Sequence, residues 1–255
     1  MPRTLSGTRT LSSRRYTPRD QKYSFFSPAA PGQIDFGNFE PSGESGKYLS
    51  VFIWIKMAQE APSNRSPISK FNYGTSNRSW GLTSPNGQMK YIVSGDGGVT
   101  WKQYQTNDFY NDGLWHPIGF VWNDGVLTVC SDLTYDATVT KLADVAFNTI
   151  HQGNALVMMG ALTNGVAATN GWIGSLGPCI MSPTALTEED WLNFVYDGLS
   201  PAGLSFEALL REGSGGTAFD TSGNGHNGTF GGNAVWIEDG PFNVRSLSGI
   251  RTLTT

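Results

Sequence analysis

Tyr48-Leu-Ser-Val-Phe-Ile-Trp-Ile-Lys56 is the stretch on which the fold turns. It is rich in β-branched and aromatic residues, lacks Gly and Pro, and shows no polar alternation. That pattern predicts a strand apolar on both faces, in the middle of a covered sheet. Outward from it, strand-like runs recur at short intervals: 68–71, 79–83, 88–94, 99–104, 115–122, 126–130, 156–162 and 172–181. Between them lie Pro85-Asn86-Gly87, Asp96-Gly97-Gly98 and Asn123-Asp124-Gly125. The latter two are hairpin chemistry, because Gly supplies the positive φ that tight turns need.

One segment changes period. In Pro183-Thr-Ala-Leu-Thr-Glu-Glu-Asp-Trp-Leu-Asn-Phe-Val-Tyr196, Thr187 can N-cap a short helix with Asp190 three positions on, a capping-box pair. Glu188 and Glu189 fall where the helix dipole favours them. Trp191, Phe194 and Val195 then share one apolar face. Many strands and one short helix predict an all-β antiparallel sandwich. Three regions are expected: an extended basic arm over 1–30, where Pro18 and Pro28, with Pro31 just beyond, forbid a long helix, a body over 31–243, and a C-terminal arm over 244–255.

The 32 Gly and 13 Pro among 255 residues suit many strands joined by tight turns. Only 15% of residues are charged, so the surface is largely Ser, Thr, Asn and Gly, as in secreted or virion β-proteins rather than cytosolic enzymes. The net charge of −4 is unevenly spread. Residues 1–20 hold five Arg against one Asp and residues 245–255 hold two Arg and no acid, which leaves −10 on the segment between. Basic ends on an acidic body seek acidic protein surfaces, nucleic acid or a neighbouring copy. The apolar stretch of a secretory leader or membrane span is missing. The Arg- and Ser-rich start also fits an organelle transit peptide, a reading opposed by its match to the C-terminus. Cys130 and Cys179 are too few for a disulfide framework and are expected as buried thiols.

Three stretches, taken together, resemble the laminin-G-like branch of the concanavalin A-like jelly rolls: Tyr48–Lys56, with its Trp two before a Lys; Asn111-Asp-Gly-Leu-Trp-His-Pro-Ile-Gly-Phe-Val-Trp-Asn-Asp-Gly125, like the family's Asp-Gly-x-Trp-His hairpin; and Gly171 to Asp190, like its closing strand and short helix. The resemblance covers 33–200 and implies a jelly roll. In one respect the chain departs from it. The segment 202–243, with Glu212-Gly-Ser-Gly-Gly-Thr-Ala-Phe-Asp-Thr-Ser-Gly-Asn-Gly-His-Asn-Gly-Thr-Phe230, looks like the strand and loop that open such a domain, yet here comes last. Either the domain is circularly permuted or the segment begins a partial unit that pairs with a neighbour. The first is preferred because Gln33-Ile-Asp-Phe36 needs an edge partner.

Hydrolases of this fold use Glu-x-Asp-x-Glu on a strand, which aims alternate carboxylates into one cleft. The sequence lacks it; Glu188-Glu189-Asp190 is contiguous and sits at a helix start, and His116, His151 and His226 show no metal-ligand spacing. The chain is therefore expected not to be an enzyme. Asp220-Thr-Ser-Gly-Asn-Gly-His-Asn227 is the candidate calcium loop, with Asp220 and Asn224 as ligands. The competing reading is a Gly/Asn turn held by Asp side-chain hydrogen bonds. Trp54, Trp115 and Trp122 read as core. Trp80, Trp101, Tyr104 and Tyr110 flank turns and are the candidates for glycan contact.

The strongest internal signal lies in the ends. Residues 3–13 read RTLSGTRTLSS and 245–255 read RSLSGIRTLTT, identical at seven of eleven positions. In an extended strand Arg3, Leu5, Arg9 and Leu11 face one way, as do Arg245, Leu247, Arg251 and Leu253. Two like arms suit a partner that repeats in space, met by strand addition and Arg–carboxylate contacts. The resulting expectation is a virion structural protein, a bacteriophage capsid decoration or cement protein. Its partners would be the major capsid protein, other repeated shell subunits or copies of itself, with no membrane, and with nucleic acid disfavoured. The alternative is a glycan-binding receptor-recognition module of fibre or adhesin type.

Overall fold

The computed structural model describes residues 24–27, 32–43, 45–59, 64–165 and 167–241. They build two sheets, almost wholly antiparallel, packed face to face. The first, of eight strands, runs in the order Thr134–Tyr135, Val126–Ser131, Trp115–Asn123, Tyr48–Met57, Gly174–Ser182, Ser24–Ser27, Val235–Ile237, with Phe206–Ala208 also on Gly174–Ser182. The second, of eleven, runs Val139–Asp144, Trp101–Phe109, Gln88–Ser94, Asn77–Ser84, Arg65–Asn72, Val157–Met159, Gln33–Asp35, Gly228–Gly231, Thr217–Ala218. Leu162–Thr163 and Ala168–Thr169 extend it beside Arg65–Asn72.

The Tyr48–Met57 strand is central in its sheet, as its sequence predicts, and its period of two divides the unbroken apolar run between two layers. Val51, Ile53 and Ile55 enter the main core, against Trp80, Leu82, Tyr91 and Val93 of the other sheet. Phe52 and Trp54 point the opposite way into a second cluster with Val121, Cys130 and Ile180. That outer face is covered by helix Glu188–Leu192 and the wider turn Asn193–Asp197, which lay Trp191, Phe194 and Val195 on it. Thr187 and Asp190 form the expected capping box. Gly119 lies opposite Phe52, where a Cβ would come within 2.5 Å of the Val51 carbonyl oxygen, so only Gly allows the strands to close.

The outer face of the second sheet is different. Its apolar cluster is small, Phe71, Ile92 and Leu162 with Trp101 packed against them, and no helix lies over it among the described residues.

Sequence and structure differ at several boundaries. The strand expected from 99 starts at Trp101, because Asp96 Oδ1 accepts the N–H groups of Gly98, Val99 and Thr100 and prolongs the turn. The run 156–162 is split by Gly160 at φ +84° into Val157–Met159 and Leu162–Thr163. Ser24–Ser27, expected within the N-terminal arm, is a sheet strand between Gly174–Ser182 and Val235–Ile237. The edge partner that 33–36 needs comes from the same chain: Thr229, Phe230 and Gly231 pair with Asp35, Ile34 and Gln33. Both cysteines are free and buried, and burial pushes their thiols up. No helix among the described residues is long and apolar enough to cross a membrane.

Candidate functional site

On the face that no helix covers among the described residues, four adjacent strands turn alternate residues outward. The register sets Ser69 beside Gly81, Gly81 beside Ile92, and Ile92 beside Gln103. Gly81, Ile92 and Gln103 of this row floor a groove of about 230 Å³. A Cβ at Gly81 would stand 3.3 Å from the Ser69 Cβ and 3.7 Å from Phe71, so glycine keeps the floor low. Two residues along the strands to one side lie Phe71 and Trp101; two residues to the other, Thr83 pairs with Lys90.

Aromatic rings make one wall. Phe71 and Trp101 stack with centroids 5.8 Å apart at 26°, and Tyr73, 56% exposed, lies 5.7 Å from Phe71. The Arg78 guanidinium carbon sits 5.3 Å from the Tyr73 ring and 5.9 Å from those of Phe71 and Trp101, within cation–π range. Its Nη2 donates to the Tyr73 carbonyl at 2.8 Å, which holds the ring-bearing turn in place.

The other wall is polar. Thr83 is 5% exposed and lines the groove, and its hydroxyl has no hydrogen-bond partner among the described residues. Burial lowers the pKa of the Lys90 ammonium beside it. Asn64, Gln103 and Asn170 complete the lining, which contains no acidic residue. A volume below the roughly 300–1,000 Å³ of drug-sized ligand sites suits one sugar residue or the end of a chain. Aromatic faces beside amide side chains can stack on such a ring and bond its hydroxyls.

Of the four aromatic residues expected at a glycan site, only Trp101 is here. Trp80 and Tyr110 are 0% and 1% exposed and belong to the main core, so neither can present a face to a ligand. Tyr104, 5% exposed, also points inward, and its hydroxyl donates to Asp144 at 2.8 Å. The reason is strand parity: Trp80 lies between Ser79 and Gly81, and Tyr104 between Gln103 and Gln105, each facing opposite to its neighbours. Sequence reasoning missed Phe71, Tyr73, Arg78, Thr83 and Lys90. The alternation of Trp101, Gln103 and Gln105 with the buried Lys102, Tyr104 and Thr106 was the available signal.

Asp220 and Asn224 do not fit calcium. Three backbone N–H groups, from Glu207, Ser222 and His226, converge on the Asp220 carboxylate, so a cation there would face the positive ends of their dipoles. Burial raises the Asp220 pKa, but these hydrogen bonds outweigh it and the net shift is downward. The Asn224 amide nitrogen donates to the carbonyls of Leu204 and Ser205. Both residues hold a turn. No group of three His, Cys, Asp or Glu suited to a metal occurs among the described residues. Asp190 is engaged in its capping box, and His116 bridges Asp112 and Asp132. The arm positions Arg3, Leu5, Arg9, Leu11, Arg245, Leu247, Arg251 and Leu253 lie outside the described residues.

Neither a protein-family model nor a curated protein sequence matches the chain. Solved structures do. A heptameric SAP-like pentraxin from Limulus polyphemus superposes with a TM-score of 0.60 at 13% identity, over 88% of this chain and 98% of that one. The fold is a laminin-G-like jelly roll. A candidate carbohydrate-binding protein from Bacteroides ovatus gives 0.62 at 13% identity over 85% of this chain, which spans 60% of that protein's length. The LG4–5 domains of the mouse laminin alpha1 chain align over 66% of this chain at 14% identity, with a TM-score of 0.48. The jelly roll accounts for both layers of strands and for the helix that closes one face; the groove belongs to this chain's own side chains.

Proposed function

We propose that this chain is a non-enzymatic binding module that takes a glycan in the groove over Gly81. One observation carries the reading: the Phe71–Trp101 stack, with Arg78 over it, lies on the sheet face that no helix covers. Trp101, partly buried and backed by the buried Phe71, offers a ring face beside Asn64, Gln103 and Asn170, and the fold is one that a candidate carbohydrate-binding protein also uses. The test is a glycan microarray probed with the full chain and with Trp101→Ala. Retention of a defined glycan set by the wild type, lost in Trp101→Ala with the melt preserved, is the expected result. No retained glycan, or a set indifferent to Trp101, would sink the reading.

A second reading, carried by the terminal repeat, concerns assembly. Copies of Arg-x-Leu at both ends support a chain that clamps neighbouring subunits of a repeating shell, as a capsid decoration or cement protein located in the virion. The two readings are compatible, since a decorated shell can present a glycan-binding face. Changing Leu5, Leu11, Leu247 and Leu253 together to Asp should abolish attachment to shells and leave the fold intact. Wild-type occupancy by that variant would retire the arms as determinants.

A further inference from the structure

We infer that the groove selects acidic saccharides, and that the anionic substituent is held by the Lys90 ammonium and the Thr83 hydroxyl. This rests on the glycan reading above and goes further by naming the ligand class and the subsite.

The lysines of the body make the case. Lys47, Lys56, Lys70, Lys102 and Lys141 each form an ion pair with a carboxylate, with Asp124, Asp239, Glu40, Asp144 and Asp144 in turn. Lys90 is the exception among the described residues. In a body that carries −11, an unpaired ammonium half-buried on a sheet face is a choice of position and not a shortage of acids. Burial disfavours its charge, as the lowered pKa records, and a counter-ion would reverse that cost.

Thr83 points to the same place. It is the cross-strand neighbour of Lys90, and its buried hydroxyl lacks a partner among the described residues. Leaving such a group unsatisfied costs free energy that valine in its place would not. The hydroxyl is closed to solvent in this conformation, so a ligand oxygen would satisfy it once the side chain turns about χ1 toward the groove that Thr83 lines. Arg78, the other cation of the groove, lies against the rings and is tied to the Tyr73 carbonyl, so it frames the aromatic wall.

Spacing fits the assignment. The Thr83–Lys90 pair is one outward-facing step from the floor row of Gly81 and Ile92, and Phe71 and Trp101 are one step beyond it the other way. Each such step is about 6.6–6.8 Å along a strand. A pyranose on the aromatic wall would therefore lie over Gly81 with an exocyclic acid directed at Lys90. A carboxylate and a sulfate share that chemistry, since an ammonium recognises either as a point charge.

The test uses the full chain on an array that pairs each neutral glycan with its uronic or sialic form and its sulfated form. Wild type should retain acidic members over their neutral partners by about 10- to 100-fold, the scale of a charge-assisted hydrogen bond. The carboxylate and sulfate series show which acid is preferred. Lys90→Gln should erase that preference, Lys90→Arg should keep it, and Trp101→Ala should weaken acidic and neutral members alike. Thr83→Val should weaken acidic ligands while melting no lower than wild type, a combination that a merely structural threonine would not give. Retention of neutral glycans at equal strength through Trp101 overturns the acid subsite and leaves the glycan reading standing. Retention of none overturns both.

Discussion

The two outer faces of this sandwich should respond in opposite ways to the same change. Trp191 is fully buried, edge-on to Phe52 at 4.9 Å, and fastens the helix to the first sheet. Trp191→Ala removes a large ring whose cavity the surrounding Phe194, Cys130 and Ile180 cannot fill, at a cost of about 3–5 kcal/mol. At about 2–4 °C per kcal/mol for a chain of this size, the melting temperature should fall by about 6–20 °C. Trp101 is half-buried on the uncovered face and owes its packing chiefly to the stack with Phe71. Losing one such pair costs about 0.5–1.5 kcal/mol beyond the area it buries, and with Trp101 only partly buried the fall should stay well short of that for Trp191→Ala. Thermal melts of both variants, with urea midpoints to confirm that the m-value is unchanged, decide the matter. If Trp101→Ala falls as far as Trp191→Ala, the second sheet's outer face is a closed core and cannot be a binding surface.

Protonated His116 donates from Nδ1 to Asp132 at 2.8 Å and from Nε2 to Asp112 at 3.0 Å. Burial pulls its pKa down, but the two aspartates outweigh it and hold it above 6.5. Its charge therefore stabilises the fold fully below a pH of about 6.5, and the contribution fades as pH rises through the raised value. The stability gap between wild type and His116→Asn should be wide at about pH 5.5 and closed at about pH 9; an equal gap at both contradicts the linkage. Gly119→Ala should lower the urea midpoint by about 1–3 kcal/mol or more in stability, because the new methyl meets the Val51 carbonyl; a wild-type midpoint would refute the close approach. Removing 1–20 and 245–255 should leave the melting temperature nearly unchanged. Extending the deletion to 30 removes the Ser24–Ser27 strand, which joins Gly174–Ser182 to Val235–Ile237, and should lower it clearly.

What was legible in the sequence was set by local chemistry. Gln88–Ser94 matched to the residue because turn signals bound it on both sides, and Thr187 and Asp190 gave the helix start through a hydrogen-bond pair three residues apart. Ser24–Ser27 was hidden by Pro28 and Pro31, whose presence argues for an arm although four residues suffice to pair. The groove was less legible still. Its lining comes from residue 64 to residue 170, and Phe71 and Ile92 look like core until the register shows which layer each faces. Turn proximity misled for Trp80 and Tyr104, since exposure in a strand follows parity and not distance from the turn.

The two thiols end up as separate clocks. Cys130 lies beneath the helix and Cys179 in the main core, in strands three places apart in one sheet. That is about 14 Å at 4.7–4.9 Å per strand, beyond the roughly 7 Å that a disulfide spans between Cα atoms, so oxidation cannot join them while the sheet stands. Each can be alkylated only when its own cover lifts. The rate at Cys130 would time the helix detaching from its sheet, the rate at Cys179 would time the sheets parting, and the ratio would measure how far one event runs ahead of the other.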